Sequence, residues 1–178
     1  LMHGFQIWVN LPAKHKMMAP RYQEIPEADS PTVERDGVWA RVIAGECLGV
    51  TSSIDTVIPI SLIHVKMEEG AVLDQTIASG LNGMIYVFSG SIRVNDQLSV
   101  RKQPMPFGIG INQQVSDGEL ALLSDGESVE ITCRSPCDLL ILAGPEIDEP
   151  IARYGPFVMN TREEIHQAVI DYQNGTFA

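Results

Sequence analysis

The sequence predicts a mostly β fold, a sandwich or a barrel, that ends in one α-helix. Short apolar runs recur between residues 38 and 143, and glycine, asparagine and aspartate residues typical of turns separate them. Many short strands joined by such turns favour two packed sheets or one closed sheet. The chain has 178 residues, which is enough for a domain with a core of its own.

Eight segments have the apolar content and the spacing of strands. They are Val38–Ala44, Val57–Met67, Met84–Phe88, Ser91–Val94, Leu98–Val100, Leu120–Leu123, Val129–Cys133 and Leu139–Ala143. Residues 5–11 alternate apolar and polar side chains, which predicts a further strand with one buried face. Three prolines and many charged residues predict a linker with little regular structure over residues 13–37.

The last part of the chain has the pattern of a capped helix. Thr161 and Glu164 have the spacing of a capping box, in which each side chain accepts a backbone N–H from the other residue. An apolar stripe follows at intervals of three and four residues: Ile165, Ala168, Val169 and Tyr172. Gly175 is a suitable C-terminal stop. A helix this short is marginal alone in water, so we expect its stripe to pack on another part of the protein.

The net charge of −11 argues against direct binding of nucleic acid, because basic contacts to phosphates dominate that affinity. No apolar run approaches the roughly 20 residues that a membrane span needs. The first residues lack the basic start of a signal peptide. We therefore expect an intracellular protein, cytoplasmic or nuclear, that binds neither nucleic acid directly nor a membrane.

The sequence contains three cysteines, two of which form the C-x3-C pair Cys133 and Cys137. That spacing matches neither a zinc site nor the redox C-x2-C motif. If residues 134–136 form a hairpin loop, the two thiols face each other across strands and could act as a redox clip. The alternative, which we favour, is two reduced thiols that pack as small apolar side chains inside a cell.

Two segments of the chain resemble the pirin family. One is residues 3–12, with the sequence HGFQIWVNLP, which is similar to a mid-chain segment of pirins. The other is residues 154–161, with the sequence YGPFVMNT, which is similar to their C-terminal signature, and VIAGE at residues 42–46 fits between the two. Pirins consist of two cupin barrels packed face to face, so the resemblance implies that this chain is the C-terminal cupin portion.

The fold that the resemblance implies is a cupin-type β-barrel, a double-stranded β-helix or jelly roll, with a C-terminal α-helix. Residues 1–12 would be a strand of, or a bridge to, an N-terminal cupin outside this chain. Residues 13–37 would be the linker, residues 38–150 the C-terminal cupin barrel, and residues 151–178 a strand and the helix. The helix would pack where the two lobes meet.

The ligands of a cupin metal site are absent from the positions where the family has them. Laid on residues 70–90, the first cupin motif places its His, His and Glu at Thr76, Ala78 and Gly83, and the second places its His at Val129. The sequence therefore predicts no catalytic residue, no metal ligand and no cofactor in this chain. The resemblance implies iron, or another divalent metal, in the N-terminal lobe.

A barrel without metal still has a mouth that could bind a small molecule. Alignment to the empty ligand positions suggests a pocket lined by Gln75, Thr76, Asn82 and Met84. His64 could meet Asp74 or Gln75 there, although we favour an ordinary histidine on a hydrogen-bonded strand face.

Two surfaces are candidates for binding partners. Residues 101–118 look like an insertion that carries Phe107, Ile109 and Ile111, and exposed apolar patches often mark interaction sites. The alternative, which we favour, is a loop or strand that packs these side chains on its own barrel. The second surface is on the helix: Ile165, Val169 and Tyr172.

The resemblance implies the function of a metal-free C-terminal lobe that supports a metal-bearing N-terminal lobe and protein interactions, as in iron-linked transcription co-regulators. One alternative is a part of a quercetin-type dioxygenase whose catalytic residues lie outside this chain. Another is a small-molecule-binding cupin module. The expected partners are the N-terminal lobe or a second copy, in a dimer or swapped oligomer, and a transcription factor.

Overall fold

The computed structural model of the chain describes residues 4–94, 114–124 and 126–177. These residues form two compact units. One comprises Gln23–Glu146, and the other combines the residues before Gln23 with those after Glu146. The chain is mostly β with a C-terminal helix, which confirms the predicted fold class.

The first unit contains ten strands and a short 3-10 helix, Glu27–Asp29. The strands are β1 (Thr32–Arg35), β2 (Val38–Ala44), β3 (Glu46–Cys47), β4 (Val50–Thr51), β5 (Ser61–Met67), β6 (Val72–Thr76), β7 (Leu81–Val94), β8 (Gln114–Ser116), β9 (Leu120–Leu122) and β10 (Ser128–Pro145). The second unit contains a 3-10 helix (Ala13–His15), β11 (Ala152–Tyr154), β12 (Phe157–Met159) and α1 (Arg162–Asn174).

Eight strands of the first unit form one antiparallel sheet in the order β1-β2-β5-β10-β7-β8, with β6 also paired to β10 and β9 to β7. Strands β3 and β4 form a separate hairpin. Alternate residues of these strands point into a single apolar cluster; Val42, Ile63 and Ile141, for example, are fully buried. This alternation is what a sheet with one buried face requires.

The longest strands change partners along their length. The first part of β10 pairs with β6, and from Cys137 onwards it pairs with β5. Strand β7 pairs with β10 throughout and with β9 and β8 in turn on its other side. The predicted strands 84–88 and 91–94 are thus one strand, and so are 129–133 and 139–143. Residues 134–136, which the sequence suggested as a loop between two strands, instead lie within β10 at a bulge.

Three other sequence predictions of secondary structure need correction. Residues 5–11 form no strand, because no other strand of the described chain pairs with them, and their apolar side chains are exposed on both alternating faces. The linker predicted over residues 13–37 contains β1, which pairs with β2. The predicted strand 57–67 begins only at Ser61, after a proline at position 59. The predicted strand 98–100 lies outside the described residues.

The helix in the second unit follows the sequence prediction closely. The Thr161 side chain accepts the N–H of Glu164, and the Glu164 carboxylate accepts the N–H of Thr161 in return. Gly175 ends α1 in a left-handed conformation. Among the described residues, the helices lack the length and the apolar character that a membrane span requires.

Candidate functional site

Strand β6 and the two residues after it contain the positions that the sequence aligns with the first two ligands of a cupin metal site, and two of the residues predicted to line a pocket. Leu73, Gln75 and Ile77 are buried, whereas the residues between them are exposed. Gln75 is only 3% exposed and lies opposite Val129 of β10. It is the polar side chain that projects into the apolar cluster from β6.

The hydrogen-bond donors of Gln75 are occupied by backbone carbonyls. Its Nε2 donates to the carbonyl oxygen of Glu46 at 2.9 Å and to that of Thr76 at 2.9 Å. Strand β3, which contains Glu46, is thereby joined to β6. A buried amide with satisfied donors stabilises the fold, whereas an unsatisfied one would destabilise it.

The register of β6 moves the expected ligand positions by one residue. Thr76 and Ala78, which motif spacing aligns with the two histidines of a cupin, are exposed. The inward positions belong to Gln75 and Ile77 instead. The two-residue period of a strand makes this one-residue difference a change of face.

The residues at the inward positions do not fit a metal site. Transition metals in such sites need imidazole or carboxylate ligands. The side chains of Ile77 and Val129 are apolar, and position 83 is glycine. The amide nitrogen of Gln75 donates to two backbone carbonyls. Over residues 4–94, 114–124 and 126–177, no group of three or more His, Cys, Asp or Glu side chains is placed to hold a metal ion.

The four residues predicted to line a pocket do not converge. Gln75 is inside the sheet, and Thr76 and Asn82 are exposed. Met84 lies on the outer face of β7, since its neighbours Gly83 and Ile85 are buried. Adjacent residues of one strand face opposite sides, so Gln75 and Thr76 cannot line one cavity. Whether any of the four binds a ligand stays a prediction.

A surface cavity of about 380 Å³ lies beside Asn82. Its lining comes from residues just before and at the start of β7, just before β10 and just after the end of β10: Ser79, Gly80, Leu81, Asn82, Gly126, Glu127 and Glu146. Small-molecule pockets are usually walled by apolar and aromatic side chains. Leu81 is the one large apolar residue here, so the cavity suits polar or hydrated ligands better than a flat aromatic one.

His64 lies on the outer face of β5 rather than at the mouth. Its Nε2 is 2.9 Å from Oδ1 of Asp138 on the neighbouring β10. The imidazole packs edge-on against Trp39, with centroids 5.3 Å apart, and lies 5.6 Å from the ring of Phe88. His64 and Gln75 therefore occupy opposite faces of the sheet, and the interpretation as a hydrogen-bonded strand-face histidine matches the geometry.

The stripe of α1 packs on β11 and β12 within the second unit. Ala168 is buried, and Ile165 and Val169 are half-buried. Tyr172 is 67% exposed, and its ring contacts Phe157, which in turn contacts Phe177, at centroid distances of 5.7 and 5.5 Å. Phe107, Ile109 and Ile111, the other predicted interaction residues, lie outside the described residues.

A hydrogen-bond network that the sequence does not signal joins residues 10–16 to residues 149–160 within the second unit. Glu149 accepts the backbone N–H of Ala13 at 2.7 Å and the Nδ2 of Asn160 at 3.0 Å. Lys16 donates to Oδ1 of Asn10 at 2.7 Å and to the carbonyl of Val158 at 3.3 Å. These residues lie in or next to the two segments that resemble pirins, so the network joins those two segments in this chain.

Comparison with known proteins identifies the family. The model of the pirin C-terminal cupin domain matches residues 62–178. The chain belongs to the pirin family. Human pirin is 35% identical over 174 residues, which cover 97% of this chain and 56% of that protein. A pirin-like protein of Solanum lycopersicum is 34% identical over 97% of the chain and 55% of its own length.

Solved structures of related proteins agree with the cupin fold. A crystal structure of quercetin 2,3-dioxygenase from Acinetobacter baumannii superposes with a TM-score of 0.80 at 30% identity. The match covers 96% of this chain and 55% of that protein. The chain thus spans about half the length of the relatives it matches, and it contains their C-terminal cupin portion.

Proposed function

We propose that this chain serves as a metal-free C-terminal cupin lobe that supports a metal-bearing N-terminal lobe. The observation that carries the proposal is the interior of the sheet at the ligand positions. Ile77 and Val129 are apolar there, and the amide of Gln75 is held by the carbonyls of Glu46 and Thr76. A divalent metal would find no anionic or imidazole donor at these positions.

The relatives of this chain are long enough to contain a second lobe. This chain covers 56% of human pirin, so the remainder of such a protein is large enough to form another cupin. Iron, or another divalent metal, would be held by residues of that lobe. The apolar side chains of residues 5–9 offer a surface for it, because Phe5, Trp8 and Val9 are each more than 40% exposed.

A role in transcription would act through protein contacts rather than through DNA. The net charge of −11 disfavours phosphate binding. Aromatic side chains are enriched in protein interfaces, and Tyr172 and Tyr154 are both 67% exposed in the second unit. We propose these exposed tyrosines, together with the half-buried helix residues Ile165 and Val169, as parts of the contact region for a transcription factor or for a second copy of the chain.

A second candidate function is that of a non-catalytic lobe of a quercetin dioxygenase. The similarity to the Acinetobacter baumannii enzyme favours it. In that case the catalytic residues and the metal would belong to the other lobe, and this lobe would complete the fold. The described cavity beside Asn82 has mostly polar walls, so we do not place a flavonol in this chain.

One experiment separates these functions. The 178-residue chain and the product of the complete reading frame that contains it are each loaded with Fe(II) and mixed with quercetin under air. Quercetin loss is followed by absorbance, and oxygen uptake by an electrode. We expect no turnover by the 178-residue chain.

The longer protein then decides between the two candidates. Turnover by the longer protein alone would favour the dioxygenase, and iron binding without turnover would favour the regulatory lobe. Turnover by the 178-residue chain would contradict both proposals.

A further inference from the structure

The bulge of β10 has a geometry that the linear sequence does not reveal. From Cys133 to Asp138 the strand advances five residues, while the facing β7 advances three, from Ile92 to Ser89. Because β10 holds two extra residues here, its five residues cover only the length of three residues of β7. The bulge lies where β10 changes its partner from β6 to β5. In a regular strand, side chains four residues apart would be separated by about 13 Å.

The bulge brings two thiols into contact. The Sγ atoms of Cys133 and Cys137 are 3.6 Å apart, and the thiol of Cys137 donates to the sulfur of Cys133. The thiol of Cys133 has the carbonyl oxygen of Ser135 at 3.0 Å and that of Met67 at 3.4 Å. Both cysteines are free and almost fully buried.

We propose that Cys133 and Cys137 are a redox-modifiable site, at which a peroxide converts the two thiols of the folded protein into an intrachain disulfide. To form the disulfide bond, the two sulfur atoms must approach each other by a further distance of about 1.5 Å. This is a small movement for two side chains that are already in contact. The bulge accounts for this short distance, because it brings together two side chains that are four positions apart in the strand.

The chemistry balances with a peroxide as the oxidant. The thiolate of Cys133 attacks one peroxide oxygen, so that a sulfur–oxygen bond forms, the oxygen–oxygen bond breaks and the second oxygen leaves as water after taking a proton. The sulfur of Cys137 then attacks the sulfenic sulfur of Cys133. The sulfur–sulfur bond forms, the hydroxyl leaves with the Cys137 proton as water, and two thiols have reduced one peroxide.

Burial determines the order and the speed of these steps. Burial raises the pKa of Cys137 to about 12, and its hydrogen bond to Cys133 acts in the same direction. Burial also raises the pKa of Cys133, but the hydrogen bond that Cys137 donates opposes that rise. Cys133 is thus the sulfur that attacks first, and the reaction is slow at neutral pH because little thiolate is present.

The chain offers a matched control in Cys47. It is 1% exposed on β3, and burial raises its pKa to about 11. It differs from the pair in lying outside the bulge. A site defined by proximity should therefore oxidise at Cys133 and Cys137 while Cys47 remains a thiol.

The test treats the folded chain with graded hydrogen peroxide, blocks the remaining thiols after unfolding and measures intact mass. We expect the wild type to lose two hydrogen atoms and two of its three thiols, and Cys47→Ser to lose two hydrogen atoms and both of its thiols. Trypsin cuts after Arg134, so the disulfide would link peptide 103–134 to peptide 135–153. A reductant should separate the two peptides.

Other outcomes would overturn the proposal. They are retention of all three thiols up to the peroxide dose that unfolds the protein, addition of oxygen to Cys133 without a linked peptide pair, and a link that involves Cys47 or a second copy. The variant Cys133→Ser should form no linked pair. Because the wild-type and Cys47→Ser results are sufficient alone, the test does not depend on that variant folding.

Discussion

Gly90 is the residue on which the bulge of β10 most directly depends. It lies within β7 with a φ of +75°, where a left-handed backbone conformation favours glycine. A Cβ at this position would overlap the carbonyl oxygen of Pro136 and come within 2.9 Å of Cα and Cβ of Cys137. The facing strands can therefore approach at the bulge only because residue 90 has no side chain.

The cost of Gly90→Ala can be worked from these two effects. The left-handed conformation costs an L-residue about 1–2 kcal/mol, and forcing a methyl group into a packed site costs about 1–3 kcal/mol. We expect the free energy of unfolding to fall by about 2–5 kcal/mol, out of the roughly 5–15 kcal/mol typical of a domain. Gly118 provides the control, because its φ is +79° and a Cβ there would meet nothing within 4 Å.

The assay is urea unfolding of the wild type, Gly90→Ala and Gly118→Ala, followed by tryptophan fluorescence and circular dichroism. Gly118→Ala should lose only the conformational part, about 1–2 kcal/mol. Equal losses in the two variants would refute the close approach of the strands at the bulge. A larger loss in Gly90→Ala, with an unchanged dependence on urea concentration, would support it.

Three further predictions follow from single side chains. Thr161→Ala removes the capping hydrogen bond to Glu164 and should cost about 0.5–2 kcal/mol, seen as faster amide exchange in α1; unchanged exchange would count against the cap. Gln75→Leu removes the buried amide that donates to the carbonyls of Glu46 and Thr76 and should lower the free energy of unfolding by about 1–3 kcal/mol, whereas the same change at the exposed Gln114 should have little effect; equal effects would contradict the role of the amide. The pKa of Cys47 rises from 9.0 to about 11 on folding, so its thiol ionises first in the unfolded chain. The contribution of the protonated Cys47 thiol to the free energy of unfolding is therefore complete below pH 9. It falls by up to about 1.4 kcal/mol per pH unit as the pH rises from 9 towards 11. Cys47→Ala should reduce this slope in urea titrations, and an unchanged slope would show that the thiol titrates alike in both states.

The local signals in the sequence identified the elements whose partners are near in the chain. The apolar content of Val38–Ala44 predicted β2 with its observed bounds, and the Thr161 capping box placed the start of α1. Strand β1 could have been found from the Asp36-Gly37 pair, which forms a hairpin turn with positive φ at both residues. The prolines and charges around it led to the prediction of a linker.

The remaining errors depend on pairing that a local pattern does not contain. Residues 5–11 have the alternation of a strand, but a strand forms only beside a partner, and no strand of the described chain pairs with them. The bulge at residues 133–138 is defined by register against β7 and looks like a loop in the sequence because of Pro136. Strand β6 escaped notice because Gln75, a polar residue, occupies a core position.

The candidate site was predictable in composition but not in geometry. The absence of histidines at the motif positions was visible in the sequence, as was the family. The face of each residue was not, because counting from Gly70 places the motif on the exposed Thr76 and Ala78 rather than on the buried Gln75 and Ile77. A shift of one residue in a strand cannot be detected without the register of the neighbouring strand.

The measurement that tests the account most directly is the metal content of the 178-residue chain. The purified protein is loaded with Fe(II) without oxygen, desalted and analysed by mass spectrometry for iron, with the Gln75→Leu variant as a comparison. The apolar interior around Ile77 and Val129 predicts iron far below one atom per chain in both proteins. Close to one iron atom per wild-type chain, retained through desalting, would contradict the proposal of a metal-free lobe. It would show that residues of this chain itself bind iron.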